Sequence, residues 1–167
     1  MRRSGISSAL AFILILGACI PHYGLKGGGL PSHIRTMAIQ PFDNETPTPE
    51  LQRELLDAMR RDLQSRLGVR DAPESRSDAV VKGIIRSYDA DVPVAYSANP
   101  AQAVTARRRL RISLDVQIVD QTTNRTIWEK KALSAEGEYA ERDEAGGRRD
   151  ALKRIVNDIV EGAQSQW

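Results

Sequence analysis

The sequence has very few of the residues that form catalytic, metal-binding or cross-linked sites. Among its 167 residues, one is a cysteine and two are histidines. A single cysteine excludes a disulfide within the chain, so stability must come from core packing. Neither His22 nor His33 stands in the spacing of a zinc site or of a nucleophile with its base. We therefore expect a protein that is not an enzyme and that carries no metal or cofactor.

The sequence also lacks an excess of charge of either sign. It contains 24 lysines and arginines against 22 aspartates and glutamates. Arg2 and Arg3, at the very start, account for the two surplus positive charges. A chain that is otherwise neutral has no bulk basic charge of the kind that nucleic-acid binding requires. A nucleic-acid partner is therefore not expected.

The longest apolar run is short and lies near the N-terminus. Residues 10–16 follow two arginines and fall short of the roughly 20 residues that span a bilayer. The run leads into Leu16-Gly17-Ala18-Cys19, and this order of charged, apolar and small residues is typical of a secretory signal. The ending resembles the bacterial lipobox, in which the peptide is cut before the cysteine and the cysteine is acylated. We predict a lipoprotein signal peptide over 1–18 and lipid attachment at Cys19.

A flexible tether and one domain are expected after the signal peptide. Residues 20–33 hold four glycines and two prolines, a composition typical of a linker. We therefore predict a lipidated tether over 19–33. The remaining residues, 34–167, have a length that suits a single domain with its own hydrophobic core.

The hydrophobic pattern predicts a strand followed by a helix. Residues 34–40 alternate in side-chain character and stop at a proline, as a short strand does. Residues 49–67 repeat an apolar side chain every four positions, which is typical of an amphipathic helix. Thr48 is the predicted N-cap of this helix and Gly68 its predicted C-cap.

Three more strands are predicted beyond this helix. Residues 79–88 are rich in β-forming side chains, and 89–106 form a long connection. Residues 110–118 alternate strictly between apolar and polar side chains, so one face of this strand should be buried. After a polar turn, residues 126–133 return as an antiparallel strand.

A second helix completes the predicted domain. It follows a break at Gly146-Gly147, and its apolar side chains recur from Leu152 to Ala163. The element order is β-α-β-β-β-α. We predict an α+β fold in which two helices pack on one face of a four-stranded mixed sheet.

Six basic side chains concentrate on the third predicted strand and on the strand that should pair with it. They are Arg107, Arg108, Arg109, Arg111, Lys130 and Lys131. We expect them in one neighbourhood, and because the planar fork of arginine matches a phosphate, an anionic lipid head group or a phosphosugar is a candidate ligand. The alternative is a solvated polar sheet face that Glu129, Glu136 and Glu138 balance. The residues alone leave both interpretations open.

The order of several motifs resembles one protein family. After the lipobox come Tyr23-Gly24-Leu25, a segment over 30–47 that reads LPSHIRTMAIQPFDNETP, a segment over 78–85, and Ile127-Trp128-Glu129. In this succession the chain resembles the lipopolysaccharide-assembly lipoproteins of the LptE family over nearly its whole length after Cys19. It departs from the family where three residues separate the cysteine from the Tyr-Gly-Leu motif.

The resemblance implies a function that composition cannot reveal. It implies an outer-membrane lipoprotein, anchored at the periplasmic face by the lipid on Cys19, that plugs the β-barrel protein LptD. Such a protein assists assembly of the barrel and helps deliver lipopolysaccharide to the outer leaflet. It also implies that the basic cluster contacts lipopolysaccharide. Residue 20 is isoleucine and not the aspartate that retains many lipoproteins in the inner membrane, which agrees with outer-membrane sorting.

A second resemblance gives an alternative function. The segment over 37–44 also resembles the first strand of periplasmic lipoproteins that activate cell-wall synthases, and of curli-secretion and TolB-like proteins. Such a protein would regulate an enzyme or build a pore. The identity of the main partner distinguishes the two interpretations.

Overall fold

A computed structural model describes residues 29–93, 107–140 and 142–165 of the chain. The predicted signal peptide, Cys19 and most of the predicted tether lie outside the described residues, as does most of the predicted connection over 89–106. Within the described ranges, no helix is long and apolar enough to cross a membrane.

The described chain is an α+β domain with two helices and six strands. In chain order the elements are β1 (Thr36–Ile39), β2 (Asp43–Asn44), α1 (Glu50–Leu67), β3 (Arg70–Asp71), a 3-10 helix (Glu74–Arg76), β4 (Ala79–Pro93), β5 (Arg107–Asp120), β6 (Arg125–Ala140) and α2 (Glu144–Ser165). The predicted count of four strands is wrong. Because β2 and β3 have two residues each, they are too short to produce a period of two in the sequence.

The six strands form one mixed sheet in the spatial order β3-β1-β4-β5-β6. Strands β3, β1 and β4 run parallel, and β2 also pairs parallel with β4, at Ile84 and Ile85. Strands β4, β5 and β6 are antiparallel neighbours. They extend beyond the predicted limits, since β4 continues to Pro93, β5 starts at Arg107 and β6 continues to Ala140.

Both helices pack on the same face of the sheet and form one core with it. The helices contact each other, α1 also contacts β1, β2 and β3, and α2 covers β5 and β6. The apolar side chains of β5 predicted to face inward are all buried: Leu110, Ile112, Leu114, Val116 and Ile118. The prediction of one buried face on β5 is therefore confirmed.

Helix α2 starts earlier than predicted, because its glycines allow close packing against β6 and do not break the helix. The helix begins at Glu144, so Gly146 and Gly147 lie inside its first turns and do not break it. A Cβ on Gly137 of β6 would overlap the Gly147 carbonyl oxygen, so helix and strand are in direct backbone contact. Asp143 caps this end, because its Oδ1 accepts a hydrogen bond from the Gly146 N–H at 3.0 Å.

The ends of α1 are only partly as predicted. Thr48 is not the N-cap: Pro49 occupies that position, and no side chain caps the helix. Asn44 instead orders the loop before the helix, since its Nδ2 donates to the Thr48 carbonyl oxygen at 2.9 Å. At the other end Gly68 has φ +67°, the left-handed conformation that glycine adopts readily, and the predicted C-cap is confirmed.

Residues 29–35 are attached to the domain, and we call this segment the strap. Leu30 packs against the core and Ile34 is buried. His33 Nε2 donates to Asp120 Oδ2 at 2.8 Å, beside the turn between β5 and β6. Asp78 Oδ2 accepts from the Arg35 N–H at 2.9 Å. The last residues of the predicted tether therefore contact the folded domain.

The Asp120 carboxylate accepts hydrogen bonds from both the strap and the turn between β5 and β6. Burial alone would raise its pKa, but hydrogen bonds from the Thr123 hydroxyl, from His33 and from the backbone N–H groups of Thr123 and Thr122 lower the pKa to about 2. The ordinary value is 3.8. The ionised carboxylate is therefore favoured in the folded state.

We expect the contribution of Asp120 to stability to depend on pH. Because the folded-state pKa lies below the ordinary value, the stabilisation is fully present above about pH 4 and is lost as the pH falls towards 2. The difference in free energy of unfolding between the wild type and Asp120→Asn, measured by urea titration, should shrink over that range. Asp57→Asn, at an exposed position on α1, is the control and should change little. A difference that does not vary between pH 7 and 2 would contradict this role.

Candidate functional site

The face of the sheet opposite the helices carries the charged side chains, and we call it the open face. Side chains alternate across a strand, so burial of Leu110 and Ile112 directs Arg109 and Arg111 to this face. The side chains that form ion pairs on this face include Glu45, Arg86, Arg109, Arg111, Asp115, Glu136 and Glu138. Of the six basic residues that the sequence suggested as a binding site, Arg109 and Arg111 are among these side chains.

Two arginines of β5 share one carboxylate of β6. The strand register places Arg109 opposite Glu138 and Arg111 opposite Glu136. Arg111 Nη2 lies 2.5 Å from Glu136 Oε1, and Arg109 Nη1 lies 3.1 Å from Glu136 Oε2. Arg109 Nη2 is also 3.5 Å from Glu138 Oε1. We call Arg109, Arg111 and Glu136 the arginine site.

The charges of the arginine site affect each other's ionisation. The hydrogen bond from Arg111, together with the charges of both arginines, lowers the pKa of Glu136. The hydrogen bond to Glu136 in turn raises the pKa of Arg111. The side chains remain accessible, with exposed fractions of 33% for Arg109 and 49% for Arg111. The guanidinium groups can therefore be reached by a solute that competes with Glu136.

A second ionic group lies further along the open face. Arg86 on β4 lies 2.8 Å from Glu45 Oε1 and 2.8 Å from Asp115 Oδ2. Asp115 Oδ1 also accepts from the Ala132 N–H at 2.8 Å, at a residue of β6 whose φ is +51°. The bond from Ala132 and that from Arg86 lower the pKa of Asp115. These contacts of Asp115 stabilise the irregularity in the β5–β6 pairing at Ala132.

The expectation that all six predicted basic residues share one neighbourhood is wrong. Lys130 lies opposite Val116, five residues along β5 from Arg111, which corresponds to about 17 Å. Lys131 lies 3.6 Å from Glu129 Oε1. The arginines are separated from the lysines because β6 continues to Ala140 and places glutamates opposite the start of β5.

The two remaining arginines lie at the far end of the sheet. Arg108 Nη1 is 3.5 Å from Asp91 Oδ1, and its side chain is 43% exposed. Arg107 pairs through its backbone with Ala140, and its side chain is not among those described. Only Arg109 and Arg111 of the predicted set contact the same group within the described residues.

Sequence reasoning missed Arg86 and a network on the opposite face near the arginine site. Arg148 of α2 donates to Glu54 of α1 from Nε at 2.9 Å and from Nη2 at 3.0 Å. The Tyr88 hydroxyl of β4 donates to Glu144, and burial together with this bond raises the pKa of Tyr88 to about 12. The network ties the first turns of both helices to β4. These partners are 56 and 94 residues apart in the sequence, so no local pattern could indicate them.

The cations in the ion pairs of the open face are guanidinium groups, which bind phosphate and carboxylate through paired N–H donors. Carboxylates of the same face already accept from these groups. In the part of the chain that the structure describes, no group of three or more histidine, cysteine or acidic side chains could hold a metal ion. An anion that bound to Arg109 and Arg111 would have to replace Glu136, the present partner of both arginines.

We expect Arg148 to stabilise the fold through Glu54. The Arg148 side chain is 14% exposed, and Arg148→Met would leave the Glu54 carboxylate without its two-point partner. The free energy of unfolding should fall by about 1–3 kcal/mol. Arg149→Met is the matched control, since the neighbouring Arg149 is exposed, and it should change stability by no more than about 0.5 kcal/mol. Equal effects of the two substitutions in thermal or urea denaturation would refute this assignment.

Several solved structures share the fold at low sequence identity. A protein of Xanthomonas campestris is 12% identical with a TM-score of 0.55, and the alignment covers 83% of this chain and 91% of that one. A hypothetical protein of Chlamydia trachomatis is 12% identical with a TM-score of 0.52, over 79% of this chain and 99% of that one. A dodecameric PelC variant of Paraburkholderia phytofirmans is 14% identical with a TM-score of 0.51, over 83% and 92%. At such identities the likeness concerns the fold alone.

Comparison with known sequences identifies the family. No curated protein sequence matches the chain. The family model described as LptE, lipopolysaccharide-assembly, matches residues 34–164. The matched segment starts before β1 and ends in the last turn of α2, so it includes both helices and the whole described sheet. The chain therefore belongs to the LptE family of lipopolysaccharide-assembly proteins.

Proposed function

We propose that the protein is an outer-membrane lipoprotein that partners and plugs an LptD-like β-barrel. In this proposal it assists assembly of the barrel and delivery of lipopolysaccharide to the outer leaflet. The observation that carries the proposal is the family match over residues 34–164. The lipobox ending at Cys19 supports a lipid anchor at the periplasmic face of the membrane.

The arginine site is our candidate contact for lipopolysaccharide. Arg109 and Arg111 present two guanidinium groups side by side on an exposed sheet face, which suits the phosphate groups of an anionic lipid. Arg107 and Arg108 are the first two residues of the same strand. Lys130 lies about 17 Å away along the sheet, and Lys131 follows it in β6.

Purification of the partner tests the proposed function. The full-length protein, isolated with an affinity tag from detergent-solubilised outer membranes, should bring with it a large β-barrel protein in a stable complex. A Cys19→Ser variant tests the anchor, because it lacks the thiol that is acylated and should not incorporate a labelled fatty acid. Recovery of a peptidoglycan synthase as the main partner would instead support the alternative of a synthase-activating lipoprotein.

Neutralising the arginine site tests the proposed lipid contact. The double variant Arg109→Gln with Arg111→Gln should lower the affinity for purified lipopolysaccharide by about tenfold or more, since each guanidinium contributes charge-assisted hydrogen bonds. The control is Arg149→Gln with Arg154→Gln, which removes the same charge from exposed positions on α2. Circular dichroism should be unchanged in both. Equal affinity in the two double variants would reject the arginine site as the contact.

A further inference from the structure

The two helices are bridged by side chains at two levels and leave a groove between these bridges. Towards the start of the helices, Arg148 Nε of α2 donates to Glu54 Oε2 of α1 at 2.9 Å. Towards the end of α1, Arg66 Nη1 donates to Asn157 Oδ1 of α2 at 2.5 Å. The groove has a volume of about 460 Å³, which lies within the range of sites that hold small molecules. We call it the helix groove.

The helix groove combines a small apolar floor with a charged rim. Leu152 of α2 is 2% exposed, and Ala58 of α1 is partly buried against the core. Because the side chain of Ala58 is small, it leaves the space above Leu152 open. Besides Glu54, the charged side chains that line the groove are Asp57, Arg61, Asp62, Arg149 and Lys153.

These five charged side chains do not neutralise one another. In the part of the chain that the structure describes, none of them lies within 4.0 Å of an opposite charge, although both signs line the same groove. Glu54 differs from them, because Arg148 is its partner. Arg149 and Lys153 are four residues apart in α2, and two like charges at this spacing repel each other on one helix face. The rim therefore offers charges of both signs to a ligand.

The placement of these charges favours a ligand that itself carries both signs. The carboxylates of Asp57 and Asp62 are on α1, whereas Arg149 and Lys153 are on α2. A simple anion beside α2 is attracted by these cations and repelled by the carboxylates, and a simple cation beside α1 meets the reverse. A zwitterion places its anionic end at α2 and its cationic end near the carboxylates, so that both ends are attracted.

We propose that the helix groove binds a phosphoethanolamine group, with the phosphate at Arg149 and Lys153 and the ammonium at Asp57 or Asp62. The guanidinium of Arg149 matches two phosphate oxygens, and Lys153 supplies a second positive charge beside it. Both membrane phospholipids and small soluble esters carry this group, and the chemistry of recognition is the same for either source. The inference concerns the helices and depends neither on the arginine site nor on lipopolysaccharide.

Two soluble phosphodiesters that differ in one end group test the preference for a zwitterion. The full chain in neutral detergent micelles is titrated with glycerophosphoethanolamine and with glycerophosphoglycerol, which has a hydroxyl group in place of the ammonium. The readout is the NMR shift of the backbone amides of α1 and α2. The wild type should bind glycerophosphoethanolamine about threefold to fivefold more tightly, since one accessible ion pair supplies a gain of this size. Equal affinity for the two esters would overturn the proposal.

Removal of the two carboxylates tests where the ammonium binds. In Asp57→Asn with Asp62→Asn, the ratio of the two affinities should fall to about one or below, because the ammonium loses its attraction while the phosphate loses a repulsion. Asp150→Asn with Asp158→Asn is the matched control, since it removes the same charge from exposed positions of α2 that do not line the groove. The control should keep the wild-type ratio. A ratio that also persists in Asp57→Asn with Asp62→Asn would refute the assignment.

Removal of the two cations of α2 tests where the phosphate binds. Arg149→Gln with Lys153→Gln should weaken the binding of both esters by about tenfold, because two charge-assisted contacts are lost. Arg53→Gln with Arg154→Gln, at exposed positions outside the groove, should leave both affinities unchanged. Circular dichroism should be the same in all four double variants. Equal losses in the two arginine-containing variants would indicate general charge attraction and reject the groove as the site.

Doped micelles distinguish the two sources of the ligand. Lysophosphatidylethanolamine in the neutral micelles should shift the same amides as the soluble ester, whereas lysophosphatidylglycerol should shift them less. This result would support a membrane lipid as the ligand. Shifts with glycerophosphoethanolamine alone would support the groove with a soluble ester as its ligand. Absence of shifts with both ethanolamine compounds would overturn the proposal and would leave the proposed partnership with a β-barrel unaffected.

Discussion

The pairing of β5 with its two neighbours is the constraint on which the rest of the structure depends. Five consecutive inward positions of β5 are buried under the helices, from Leu110 to Ile118. A shift of one residue in the register would exchange these side chains for Arg109, Arg111 and Asp115. Burial of the apolar set therefore fixes at once where the core lies and which charged groups share the open face. The arginine site is a consequence of that register.

The helices are attached to the sheet by close backbone contact as well as by apolar side chains. Gly137 and Gly147 allow α2 to approach β6 without any intervening side chain, and Gly162 leaves room for the Trp128 indole. Arg148 then joins α2 to α1 through Glu54, while Tyr88 joins β4 to α2 through Glu144. These contacts lie on the side of the sheet opposite the arginine site, so they hold β4 and α2 in place without occupying the open face.

The sequence predicted those parts of the fold that repeat over many residues. The helix over 49–67 and the alternating strand over 110–118 were located to within a few residues, because a period of four or of two recurs several times in each. The strands β2 and β3 have two residues each and left no such period. The start of α2 was misplaced because Gly146 and Gly147 weaken a helix locally, while their packing against β6 requires them.

For the candidate site, the sequence could predict only which residues of one strand lie on the same face. Arg109 and Arg111 lie two residues apart in β5, so the sequence itself placed them on one face. Their shared partner Glu136 depends on how far β6 continues beyond its predicted end, and this length also separates Lys130 from the arginines. Arg86 and Glu45 meet through the parallel pairing of β2 with β4, which no local pattern encodes.

The attachment of the strap limits the distance between the arginine site and the proposed lipid anchor on Cys19. His33 is attached beside Asp120, nine residues along β5 from Arg111, or about 30 Å. The ten residues from Cys19 to the start of the strap can extend by at most about 35 Å. Residues 29–33 add at most about 14 Å between these two lengths, so the arginine site lies within about 80 Å of its anchor. Any lipid molecule that binds the arginines must come within that distance of Cys19.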